Sequence, residues 1–173
     1  MKHRLAAILA AISVGLTLLC AAGATAASAT TDPVQQKIDK ILAESPGGKQ
    51  TSKNTIAWQN GDIILTLVAK NARTQAADVA PCPDGRFCLF SDSNFGGSVV
   101  SFRDRLCDNR VVNLTAFNFN DVTSSWANNT DFDVDVWSDI GLGGGRLFQM
   151  FSFTESAGLS RSLNDKASSL NCF

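Results

Sequence analysis

The chain has 173 residues, a formal net charge of −1, 45% hydrophobic residues and 18% charged ones, a globular composition sized for one or two domains. It has no tyrosine and a single histidine, His3. If export removes His3, no histidine remains, which excludes Ser-His-Asp triads, Cys-His dyads and histidine-ligated metals. Of the 16 acidic residues only Glu44 and Glu155 are glutamate, and short carboxylates suit turns and oxygen-ligand metal sites.

Lys2 and Arg4 precede an uncharged stretch from Leu5 to Leu19, and Ala24-Thr25-Ala26 and Ala27-Ser28-Ala29 come next as cleavage candidates. A basic start, an apolar core of about 15 residues and a small-residue exit predict a secretory signal peptide over residues 1–29. The stretch is shorter than the roughly 20 apolar residues of a spanning helix, so no membrane span is expected. A lipoprotein anchor at Cys20 is disfavoured by Leu19, where a small residue is required. Without Lys2 and Arg4 the chain carries 13 basic and 16 acidic residues, a net charge of −3. That mild acidity does not point to nucleic acid.

Residues 30–80 predict a small helix-plus-hairpin segment with a linker. Asp32 can cap a helix with Pro33 at its first position. Val34, Ile38, Ile41 and Leu42 recur at i, i+4, i+7 and i+8 as one apolar stripe. Ser45-Pro46-Gly47-Gly48 ends the helix. Thr55–Trp58, the turn Gln59-Asn60-Gly61 and Asp62–Val68 read as a hairpin, because Asn-Gly accepts positive φ at both positions. Ala69–Ala80 reads as a linker. Such a segment buries little core alone, so it either docks on the C-terminal domain or acts as a pro-segment.

Four cysteines lie beyond the signal: Cys82, Cys88, Cys107 and Cys172. An even number in a small exported chain predicts two disulfides, and four cysteines allow three pairings. The favoured pairing is Cys82–Cys88 with Cys107–Cys172. A zinc site is disfavoured, since paired C-x-x-C motifs and histidines are lacking.

Residues 81–173 predict an all-β domain: short apolar and aromatic runs broken by Gly, Asn, Asp and Ser, with no helical periodicity. Asp131 to Trp137 alternates strictly, which predicts one solvated face of Asp131, Asp133 and Asp135 and one apolar face of Phe132, Val134 and Val136. The region also repeats itself. Phe90-Ser91-Asp92-Ser93-Asn94-Phe95-Gly96-Gly97 returns as Trp137-Ser138-Asp139-Ile140-Gly141-Leu142-Gly143-Gly144, an offset of 47. Asn120-Asp121-Val122-Thr123-Ser124-Ser125 returns as Asn164-Asp165-Lys166-Ala167-Ser168-Ser169, an offset of 44.

These two hairpins and two sextets, in order, resemble the βγ-crystallin fold. The resemblance covers about residues 86–170 and implies a sandwich of two Greek keys. Aromatic-x4-aromatic-x-Gly marks the folded hairpin of each key in that family, and Leu142 departs from it at the second aromatic. The sextets are similar to its calcium motif, (Asn/Asp)-(Asn/Asp)-x-x-(Ser/Thr)-Ser. The resemblance implies one or two calcium ions, with hydroxyls from Ser124 and Ser168 and side-chain oxygens from Asp121 and Asp165 given to the opposite site. It also implies carbonyl ligands from Val122, Lys166, Ser93 and Ile140. Hard oxygen ligands suit calcium, and one carboxylate per ion implies modest affinity. The competing reading is that these residues only form Asx and Ser turns.

The run from Cys82 to Cys88, continuing into Leu89-Phe90 and Asn94–Gly97, resembles secreted bacterial metallopeptidase inhibitors of peptidase inhibitor family 36. That resemblance implies a disulfide-stabilised, non-catalytic monomer outside the cell, with an extracellular thermolysin-like peptidase as partner. No residue matches the family's inhibitory loop. The alternative is a calcium-binding structural or envelope-associated protein with no peptidase target. An enzyme is the weakest reading: paired carboxylates could cleave glycosides, but short Greek-key strands offer little cleft. Trp137 fits the hairpin corner and Trp126 the core, and Trp58 has no assigned role.

Overall fold

The computed structural model describes residues 32–69, 82–108 and 110–173. The expected signal peptide and most of the expected linker lie outside them. Helix α1 (Pro33–Glu44) starts where the sequence predicts, with the Asp32 carboxylate accepting from the Val34 N–H at 2.9 Å. Its stripe buries Ile38 and Ile41. Strands β1 (Lys49–Ser52), β2 (Thr55–Trp58) and β3 (Ile63–Thr66) come next. The β2–β3 hairpin turns through Asn60 at φ +57° and Gly61 at φ +91°, the backbone geometry that the Asn-Gly pair predicts. Strand β1 was not expected, since its four residues are all exposed and carry no alternation.

The repeat region forms eight strands: β4 (Arg86–Asp92), β5 (Gly96–Arg103), β6 (Val112–Asn113), β7 (Ser125–Asn129), β8 (Val134–Trp137), β9 (Arg146–Met150), β10 (Thr154–Ser156) and β11 (Ser169–Cys172). They make a two-sheet sandwich with the orders β1-β2-β3-β5-β4-β7-β10 and β6-β11-β8-β9. The first key contributes β4 to β7 and the second β8 to β11. Each key lends its third strand to the other's sheet: β6 pairs with β11, and β10 pairs with β7. This exchange makes the two keys one folding unit and brings their loops together.

The segment before the repeats joins the same sheet. Strand β3 runs antiparallel to β5, from Ile63 opposite Phe102 to Thr66 opposite Val99. Ile38, Ile41, Ile56, Trp58, Ile63, Leu65 and Leu67 are buried in one cluster with Phe87, Phe102, Phe117, Val134 and Val136. The segment therefore docks on the repeats and completes their core.

One strand is shorter than its alternation predicts. Val134 and Val136 are fully buried, but β8 begins only at Val134, because Asn128 and Thr130 hold residues 130–133 in a turn. Phe132 is thereby exposed rather than placed in the core. Asp135 is not on a solvated face: it is buried and pairs with Arg146 at 3.1 Å. Trp126 lies in the core, stacked on Phe148.

Two disulfides are present, Cys82–Cys88 and Cys107–Cys172, with Cα separations of 5.8 and 4.8 Å. The second spans 65 residues and ties β11 to the turn after β5. Replacing Cys107 and Cys172 by serine is expected to cost about 4 kcal/mol through loop-closure entropy. The same change at Cys82 and Cys88, six residues apart, should cost less. Denaturant midpoints of the two double variants test that order.

Candidate metal site between the two Greek keys

Each key builds its hairpin in the same way. Asn94 and Phe95 turn at φ +56° and +57°, and Gly141 and Leu142 turn at +66° and +61°. Gly97 and Gly144 come next at φ +72° and +69°, and a Cβ at either would collide with a serine hydroxyl, of Ser91 or Ser138. No other residue type fits there. Leu142 keeps the backbone of the aromatic that it replaces.

The last serine of each sextet ties the hairpin of its own key. Ser125 Oγ donates to the Asp92 carbonyl at 2.6 Å and accepts from the Phe95 N–H at 3.1 Å. Ser169 Oγ donates to the Asp139 carbonyl at 2.5 Å and accepts from the Leu142 N–H at 3.0 Å. Both serines are fully buried.

The preceding serine reaches across to the other key. Ser168 Oγ donates to Asp121 Oδ1 at 3.1 Å, and Ser124 Oγ lies 3.5 Å from Asp165 Oδ1. Backbone bonds fix both crossings: the Asp121 N–H donates to the Ala167 carbonyl at 2.9 Å and the Asp165 N–H to the Thr123 carbonyl at 3.0 Å. Asp121 and Asp165 share φ +54°, a conformation that Asp tolerates better than most residues. Four of the sequence-predicted ligands are therefore brought together in two crossed pairs.

The predicted carbonyl ligands are placed less tightly. Val122 lines one cavity with Asp121 and Asp165, of about 450 Å³. Ser93 and Ile140 are exposed, and their carbonyls accept from Gly96 and Gly143 N–H at 3.3 and 3.1 Å, leaving each one lone pair. Lys166 is exposed beside Asp165. Sequence reading missed Asp92, which lines the same cavity. Its match to Asp139 in the repeat was the available signal.

Hard oxygen donors dominate the region. Asn120 Oδ1 and Thr123 Oγ1, both in the first sextet, are buried without a hydrogen-bond partner. A buried oxygen without a donor is satisfied by an ordered water or an ion. Among the described residues, no three of His, Cys, Asp or Glu gather as a metal cluster. The donor chemistry fits calcium held by few carboxylates and many neutral oxygens.

Comparison with protein families matches residues 75–150 to peptidase inhibitor family I36. This segment, less than half of the chain, is similar to that family. The match spans both hairpins and the first sextet, and stops before the second. Several solved βγ-crystallin domains are similar in fold. One, from work on the evolution of the eye lens fold, is 22% identical and covers 55% of this chain and 92% of its own, with a TM-score of 0.46. A domain from Clostridium beijerinckii is 23% identical, covers 50% and 95%, and has a TM-score of 0.42. One from Flavobacterium johnsoniae is 21% identical, covers 50% and 92%, and has a TM-score of 0.41. No curated protein matches the chain. No helix among the described residues is long and apolar enough to cross a membrane.

Proposed function

We propose that this protein is an exported, non-catalytic inhibitor of an extracellular metallopeptidase, with a calcium-binding double Greek-key domain. The family match of residues 75–150 carries the inhibitor reading. Two disulfides support an oxidising location and a scaffold that presents loops at low entropic cost. The crossed Asp–Ser pairs support calcium. Asp121 with Ser168, and Asp165 with Ser124, would hold the ions, with carbonyls of Val122, Lys166, Ser93 and Ile140 nearby. Bound calcium would supply a charge-dense link between the keys. Asp121 and Asp165 bring the negative charge, while Ser125 and Ser169 keep the hairpins in place.

Titrating thermolysin with the oxidised protein tests the inhibitor reading. Stoichiometric loss of peptidase activity is expected at micromolar protein or below. Full activity at that concentration favours the second reading, a calcium-binding structural protein without a peptidase target. The crossed pairs favour that alternative specifically, since they need no inhibitory loop.

A further inference from the structure

Exposed large apolar residues are usually scattered singly. Here four phenylalanines belong to three chain segments that meet at one end of the sandwich: Phe132, Phe151, Phe153 and Phe173, exposed by 36, 56, 66 and 54%. Phe132 lies in the turn before β8, Phe151 and Phe153 in the turn between β9 and β10, and Phe173 just after β11.

Two polar residues bind these segments together. Asp133 exchanges backbone hydrogen bonds with Phe173 at 3.2 and 3.1 Å, and its carboxylate accepts from the Ser152 N–H at 2.8 Å. Asn128, fully buried, donates its amide to the carbonyls of Phe132 at 2.8 Å, Met150 at 3.1 Å and Phe151 at 3.2 Å. Buried polar groups satisfied in this way rigidify what they hold.

The turn at 151–154 is unusual in itself. Thr154 donates to the Phe151 carbonyl from its N–H at 3.2 Å and from its hydroxyl at 2.6 Å. Phe153 sits at φ +53°, where a bulky side chain is a genuine outlier and persists only if its surroundings fix it. The result is a preformed tip, Met-Phe-Ser-Phe-Thr, with no charge and two phenyl rings held outward.

We infer that the Phe151–Phe153 turn is the segment that enters the peptidase cleft, with Phe132 and Phe173 flanking it. This assignment rests on the inhibitor reading. A neutral, convex, aromatic tip fits a concave apolar cleft, and aromatic anchors of fixed geometry dominate such interfaces. The partner is accordingly a zinc peptidase whose cleft takes large apolar side chains. The Phe151 carbonyl already accepts from Asn128 and Thr154, and the chain turns there instead of running extended. The tip therefore plugs the cleft through its side chains and is not presented as a peptide to be cut.

The test is inhibition of thermolysin by the full protein carrying Phe151→Ser and Phe153→Ser. Because both side chains are exposed, the variant should melt like the parent. Its apparent inhibition constant should rise at least about 100-fold. Lys53→Ser, in the exposed turn between β1 and β2 at the opposite edge of the seven-stranded sheet, should leave inhibition unchanged. An unaltered inhibition constant in the double variant overturns the loop assignment but spares the inhibitor reading. A parent protein that leaves thermolysin fully active overturns both.

Discussion

Trp58→Ala is expected to lower stability by about 3–5 kcal/mol, the cost of truncating a buried tryptophan. Trp58 is only 5% exposed although it lies outside the repeats. Its ring meets Phe117 edge-on at 5.2 Å, Phe117 meets Phe102 at 5.8 Å, and Phe102 stacks on Phe87 at 5.1 Å. One aromatic chain thus runs from the first hairpin into the sheet of the first key. The indole N–H also donates to the Ser45 carbonyl at 3.4 Å, linking β2 to the end of α1. Deleting residues 32–69 should do more than remove this ring. Strand β5 would lose its partner β3, and Val100 and Phe102, both fully buried, would lose their cover.

Arg86 makes the same deletion more costly. It is buried in β4, and burial lowers its pKa from the ordinary value. Its guanidinium donates to the Asp62 carbonyl at 3.2 Å and to the Gly61 carbonyl, both in the first hairpin. Without them Ser101 and solvent are its partners, and losing hydrogen bonds to a charged group costs about 1.5–3 kcal/mol each. Such losses approach the whole stability of a domain, about 5–15 kcal/mol. Residues 82–173 alone should therefore show no cooperative melt and little near-ultraviolet circular dichroism. A cooperative melt within a few degrees of the parent would mean that residues 32–69 are a detachable pro-segment.

Local signals account for the parts of this fold that the sequence made legible. Asp32-Pro33 starts a helix, Asn60-Gly61 turns a hairpin, and Gly97 and Gly144 sit where only glycine fits. The repeat then places two hairpins and two sextets in order. Non-local pairing decides the rest. β6 and β10, two and three residues long, exist because the other key offers an open edge. β1 exists because β2 does. Ser124 and Ser168 look like turn residues in sequence, and only the crossed chain path puts each beside the carboxylate of the other key. Nothing in the local sequence marks Arg86 as buried, and the docked hairpin is what buries it. No local signal marks the turn after β9, where the buried Asn128 amide donates to the carbonyls of Met150 and Phe151.

Calcium should raise the melting temperature of the full protein by roughly 10–20 °C when both crossed sites are saturated. A ligand at about 100 times its dissociation constant stabilises by ~2.7 kcal/mol per site. For a protein of this size each kcal/mol moves the midpoint by about 2–4 °C. The informative variants are Asp121→Asn and Asp165→Asn. Asparagine tolerates the φ of +54° that both residues adopt, so it removes the charge without straining the turn. It also keeps an acceptor for the Ser168 or Ser124 hydroxyl. Each single variant should melt in chelator within about 1 kcal/mol of the parent, the scale of one altered hydrogen bond. Each should keep about half of the calcium-induced rise, and the double variant none of it. Magnesium should substitute poorly, because it demands octahedral geometry with short bonds, whereas calcium accepts an irregular cage of neutral oxygens. Each candidate site offers one carboxylate, so calorimetry should show weak binding that is lost first at the mutated key. Identical melts in calcium and in chelator would reduce Asp121, Asp165, Ser124 and Ser168 to turn-forming residues. The exchanged strands, the Cys107–Cys172 disulfide and the crossed hydrogen bonds would then link the keys without an ion.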